Sequence, residues 1–156
     1  VALLLAWPGT AAATEPFYLG RWTIASVERG PWTCCHNEES LAALQRLVGS
    51  PVLIGPRAIE GPEGVGCRAG YQQGGATAYT MFEGGLHNVT LPPEAPAAMA
   101  NASGDYYDPQ KLAERFGFRG FSWKALRCDK DWYLFFADPK NAAARVDQFI
   151  VMLKRE

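Results

Sequence analysis

The chain has 156 residues, with 15 Lys and Arg against 16 Asp and Glu for a net charge of −1. That length fits one domain with a core large enough to fold alone. The two signs are interspersed along the sequence, which excludes the basic footprint of a nucleic-acid or anionic-membrane binder.

Val1-Ala2-Leu3-Leu4-Leu5-Ala6-Trp7 is an apolar run, followed by Pro8-Gly9 and then small residues at Ala11 and Ala13. This is the pattern of the end of a secretory signal peptide with an A-x-A cleavage site. The run is too short to span a bilayer, which takes roughly 20 residues, and Thr14 is not the cysteine of a lipoprotein. The expected organisation is a signal-peptide remnant over 1–13 and a single domain over 14–156, exported to the periplasm or secreted.

The first strand is expected over about Tyr18–Glu28, rich in aromatic and β-branched residues and stopped by Gly30-Pro31. A short helix follows, with Asn37 as N-cap, Glu38 and Glu39 in its first turn, a stripe of Leu41, Leu44 and Val48, and Gly49 as its stop. Pro51–Ile54 and Ala58-Ile59 suggest a second strand interrupted by Gly55-Pro56, an edge or bulged strand because of its prolines. Tyr71 and Thr77–Phe82 read as further strands among turn glycines at Gly74-Gly75 and Gly84-Gly85. An irregular stretch opens at Pro92-Pro93. It leads to a second helix with Asp108 as N-cap, Pro109 at N1, Leu112 and Phe116 on one face and Gly117 as stop. Phe121–Arg127, Trp132–Ala137 and Val146–Lys154 are the last expected strands, with a turn over Asp138–Asn141. Val146–Lys154 is apolar on both alternating faces, so one face lines the sheet's interior and the other is covered by a helix.

Gly20-Arg21-Trp22 at the start of the first strand, with Lys154 and Arg155 at the end of the last, resembles the lipocalin-like (calycin) superfamily. The chain is similar also to small bacterial exported proteins with a leader, a Gly-x-Trp and a cysteine pair. The resemblance implies a mainly β fold, a closed antiparallel up-and-down barrel of about eight strands with one or two short helices. It implies that Gly20, Trp22 and a basic residue, Arg155 or Lys154, close one barrel end, a cation over the indole adding about 0.5–2 kcal/mol.

Four cysteines in an exported chain suit disulfides, and four allow three pairings. A bridge between neighbours closes a strained ring, so Cys67–Cys128 is the preferred structural pair. Closing that loop would contribute roughly 4 kcal/mol. Cys34-Cys35-His36 is then the sharpest local oddity. Two thiols and an imidazole suit copper(I) or zinc, but the segment has no Cys-x-x-Cys spacing and His87 is the only other histidine. One cysteine in a disulfide and one buried or spare is the plainer reading, so no metal site is assigned.

Gly-rich 60–66 lacks the context of a phosphate loop and reads as turns. Asp105-Tyr106-Tyr107-Asp108 reads as a loop and helix cap. Asn88-Val89-Thr90 and Asn101-Ala102-Ser103 are N-glycosylation sequons, meaningful only in a eukaryotic source. No catalytic motif and no cofactor motif is present.

The expected function is a monomeric binding protein for a small apolar or amphipathic ligand. Trp22, Tyr79, Phe82, Trp123, Trp132 and Phe149 serve as core or cavity aromatics, with Tyr106 and Tyr107 near the opening. The alternative is a protein-binding module of the cell envelope, an enzyme inhibitor or complex subunit. A third reading is a metal or redox role for Cys34, Cys35 and His36.

Overall fold

The computed structural model describes residues 15–30, 38–82, 99–100, 106–128 and 132–156. Ten strands and three short helices alternate along the described chain. In order they are β1 (Gly20–Arg29), α1 (Glu38–Gln45), β2 (Pro51–Ile54), β3 (Ile59–Glu60), β4 (Gln72–Ala76), α2 (Ala78–Phe82), β5 (Met99–Ala100), β6 (Tyr106–Tyr107), α3 (Pro109–Arg115), β7 (Trp123–Arg127), β8 (Tyr133–Asp138), β9 (Asn141–Val146) and β10 (Phe149–Arg155).

Eight of the strands form one antiparallel sheet, in the order β3-β2-β1-β10-β9-β8-β7-β4, that curls into a half-barrel. The run from β7 to β10 is an up-and-down meander, and the last strand then returns to pair with the first (Trp22 opposite Arg155, Arg29 opposite Phe149). A register shift between Ile24 and Ser26 kinks β1, the kind of irregularity that lets a sheet curl. β5 and β6 form a separate two-stranded ladder. No helix among the described residues is long and apolar enough to cross a membrane.

Alternation along the strands sorts the core into two layers. Inside the curl lie Trp22, Ile24, Val52, Ile54, Ile59, Leu126, Leu134, Phe136, Ala142, Ala144, Val151 and Leu153, joined by Val65 from the loop after β3. α1 packs Leu41 and Leu44 against this layer. On the outer face Trp123, Ala125, Phe135, Ala143 and Ile150 pack against Met81 and Phe82 of α2 and Leu112 and Ala113 of α3. β10 is therefore covered on both sides, which is why Phe149, Ile150, Val151 and Leu153 are all apolar and buried.

Four local expectations are corrected. Thr77–Phe82 holds helix α2 instead of a strand. Thr77 and Thr80 cap its first turn reciprocally (Thr77 N–H to Thr80 Oγ1, 3.3 Å; Thr80 N–H to Thr77 Oγ1, 3.5 Å), and Ala78, Met81 and Phe82 fall on one buried face. It makes a third short helix. Gly74-Gly75 lies within β4 and forms no turn. Pro51–Ile54 and Ile59–Glu60 are two arms of a hairpin, and Pro51 opens an internal strand because β3 takes the edge. Val146–Lys154 is also split: β9 ends at Val146, a left-handed Asp147 (φ 52°) turns the chain, and β10 begins at Phe149. Asp108 does cap α3, its carboxylate accepting from the N–H groups of Gln110 (2.8 Å) and Lys111 (3.3 Å). Asn37 lies outside the described residues.

Candidate functional site

One end of the curl is built around Gly20, Trp22 and Arg155. Gly20 sits at φ 119°, a conformation that other residues rarely adopt, and a Cβ there would also crowd the Arg155 guanidinium at 3.3 Å. The guanidinium lies 6.0 Å from the centre of the Trp22 ring and donates to the carbonyls of Leu19 (2.8 Å) and Phe17. Trp22 Nε1 donates to the Tyr18 carbonyl at 2.9 Å. Beneath it the rings of Trp22 and Phe136 meet at 5.5 Å and those of Tyr18 and Phe136 at 5.5 Å. This end is a plug of side chains that satisfy one another.

Tyr71 extends the plug across the gap between the two edges of the sheet, donating its hydroxyl to the Gly55 carbonyl at 2.6 Å. Burial raises the pKa of both Tyr18 and Tyr71, and for Tyr71 the neighbouring Tyr18 hydroxyl adds to the effect. Lys124 Nζ stands 5.6 Å over the Tyr18 ring and donates to Gln73 Oε1 at 2.9 Å.

Of the expected ligand-contacting aromatics, the side chains of Phe82, Trp123 and Trp132 are described, and they fall in two layers. Phe82 and Trp123 belong to the outer layer under α2 and α3, where Trp123 stacks edge-on with Phe118 (5.1 Å) and donates Nε1–H to the Arg119 carbonyl (2.7 Å). Trp132 lies on the other side of the sheet against the inner layer, its Nε1–H on the Gly64 carbonyl at 3.1 Å. The side chains of Tyr79, Tyr106 and Tyr107 lie outside the described residues, as do Cys34, Cys35, His36, His87 and both sequons. Among the described residues no three His, Cys, Asp or Glu side chains converge on a point that could hold a metal.

The two sheet edges differ sharply. β3 is two residues long, and its outer side is taken by the returning chain. Ile59 and Cys67 exchange backbone hydrogen bonds of 2.9 and 2.7 Å, and Cys67 is disulfide-bonded to Cys128 just beyond β7 (Cα–Cα 5.7 Å). The disulfide therefore stitches one edge of the half-barrel to the other side of the sheet. Among the described residues β4, Gln72–Ala76, pairs with β7 along one side only, and it is exposed over its first four residues.

Among the described residues no helix lies over the outer face of β1, β2 and β3. Leu53 is 48 % exposed there, in register with Arg21 on one side and Glu60 on the other. Together with Pro51 and Gly61 these residues line a shallow cleft of about 340 Å³. At its rim Glu156 accepts from Thr23 Oγ1 (2.7 Å) and pairs with Arg21 (3.1 Å), which together hold its carboxyl below the usual range.

No family model, curated protein or solved structure matches the chain. Its reading therefore rests on its own chemistry. Sequence reasoning passed over Leu53 and β4. Leu53 lies between the buried Val52 and Ile54, and strict alternation was the available sign that it faces outward. Gln72–Ala76 combines polar side chains with two glycines and is bounded by no strong turn signal, so nothing marked it as a strand.

Proposed function

We propose that the chain is a lipocalin-like protein-binding module of the cell envelope, an inhibitor or complex subunit that holds another protein. One observation carries this reading: the inside of the curl is filled by the chain's own side chains. Trp22, Leu126, Leu134, Phe136, Phe149 and Leu153 are at most 2 % exposed. A small-ligand carrier needs a preformed apolar cavity there, with a few polar groups facing inward. Recognition instead falls to the outside, where Leu53 presents an apolar contact ringed by Arg21, Glu60 and Glu156. A desolvated centre with a polar rim is the usual anatomy of a protein interface. Export is supported by the Cys67–Cys128 disulfide, a bond that persists in oxidising compartments.

The test pairs two measurements on the full chain. An anionic naphthalene fluorophore is titrated in, and photo-crosslinking residues are placed in cells at positions 53, 74 and 121. The expected result is no saturable one-to-one fluorophore binding, with a discrete protein adduct from at least one position. Stoichiometric fluorophore binding that a fatty acid competes away, with no adduct, would return the molecule to the small-ligand reading.

A further inference from the structure

The free edge of β4 is the feature the fold leaves unexplained. A sheet edge presents a row of unpaired N–H and C=O groups, and natural proteins blunt such edges with charges, prolines, bulges or a covering segment. β3 shows that protection: it is short, carries Glu60, is flanked by Pro56 and Pro62, and is covered by Cys67. Among the described residues β4 shows none of it. Gln72-Gln73-Gly74-Gly75-Ala76 contains no charge and no proline, and its register with β7 is unbroken. Its backbone has no hydrogen bond outside the β7 ladder among the described residues. A Cβ added at Gly74 would meet nothing within 4 Å, so the face of the strand is open there as well.

The electrostatics of this edge choose the occupant. The segment from Arg68 to Phe82 holds no carboxylate, and neither does β7. Lys124 stands opposite Gly75, and its ammonium lies on Gln73 Oε1 of β4 itself at 2.9 Å.

We infer that β4 is a docking edge at which an extended, acidic segment of a partner protein adds as a further strand. The inference rests on the protein-binding reading and names the place and chemistry of that contact. Main-chain hydrogen bonds supply the affinity in this mode, and side chains on alternate positions supply the selectivity. Here the selecting group is Lys124, held on Gln73 of β4, which favours carboxylates on the incoming strand.

The probe is a synthetic seven-residue peptide alternating valine or threonine with glutamate, compared with the same peptide carrying lysine for glutamate. Amide hydrogen exchange of the full chain is followed residue by residue. The outward-pointing amides of Gln72–Ala76 should slow at least tenfold with the acidic peptide, and the apparent Kd should rise severalfold between 50 and 300 mM salt. The basic peptide should give no protection. Gly74→Pro should abolish the effect, and Gly74→Glu should weaken it while leaving the rest of the exchange pattern unchanged.

Unprotected β4 amides with either peptide overturn the inference, as does equal protection by both. Concentration-dependent dimerisation that protects β4 without peptide also overturns it, by making a second copy the occupant. The two readings fail separately: an adduct from position 53 with unprotected β4 removes the docking edge alone, whereas one-to-one fluorophore binding without adducts removes the protein-binding reading beneath it.

Discussion

Arg155 closes its end of the sheet through three contacts: the face of Trp22 and the carbonyls of Leu19 and Phe17. Replacing it with glutamine should cost about 2 kcal/mol in urea unfolding, since charge-assisted bonds to otherwise unpaired carbonyls are lost. Lysine should restore only part, because a point charge cannot bridge two acceptors as a planar fork does. The tyrosine pair behaves differently. Raised pKa values mean that Tyr18 and Tyr71 stay neutral in the fold at pH values where the unfolded chain has begun to ionise. Their contribution is complete below the ordinary value of 10.0 and is lost as pH rises past it, because the unfolded state then holds fewer protons. Denaturant midpoints should therefore fall above pH 10, and Tyr71→Phe should flatten that fall. Sequence made the glycine and the tryptophan of this end legible. It left open whether Lys154 or Arg155 supplies the cation, because a one-residue change along a strand reverses the face.

Among the elements, α2 and β9 show where sequence pattern misleads. Thr77–Phe82 carries β-formers, yet its apolar residues meet the outer layer only at helical spacing, and packing overrides the local preference. Ala142, Ala143 and Ala144 are weak strand formers that no propensity reading selects. They are buried on both sides because β9 runs through the middle of the sheet, between β8 and β10. Burial rather than side-chain type therefore sets what each position tolerates. Phe82→Ala, in the outer layer, should lower stability by about 3–5 kcal/mol. Leu53→Ser, on the exposed face, should stay within about 0.5 kcal/mol of the parent in the same melt.

For the whole molecule, the disulfide is the strongest cross-link across the open side of the curl. Cys67 and Cys128 are 61 residues apart, and a loop of that size is stabilised by about 4 kcal/mol through the entropy it removes from the unfolded chain. A Cys67→Ser, Cys128→Ser double variant should unfold at correspondingly lower urea, and dithiothreitol should bring the parent to the same midpoint. The pairing was one of the three that four cysteines allow, and sequence alone does not choose among them. The half-barrel outline, with one guarded and one open edge, was not legible either, because the short β3 and the glycine-bearing β4 carry little pattern of their own.

The ladder between β1 and β10 also sets an order of events. Trp22 faces Arg155 across that ladder, so the longest strand near the start of the sequence waits for residues synthesised more than a hundred positions later. Long-range pairing of this kind is slow and leaves apolar strands open to aggregation in the meantime. A chain emerging start-first from a ribosome or a translocation pore cannot assemble its central ladder until almost all of it is free. It is thus kept in a threadable state by its own topology. A fragment ending at Val146, with nine of the ten strands intact in sequence, should remain protease-sensitive throughout and refold only when β10 is supplied.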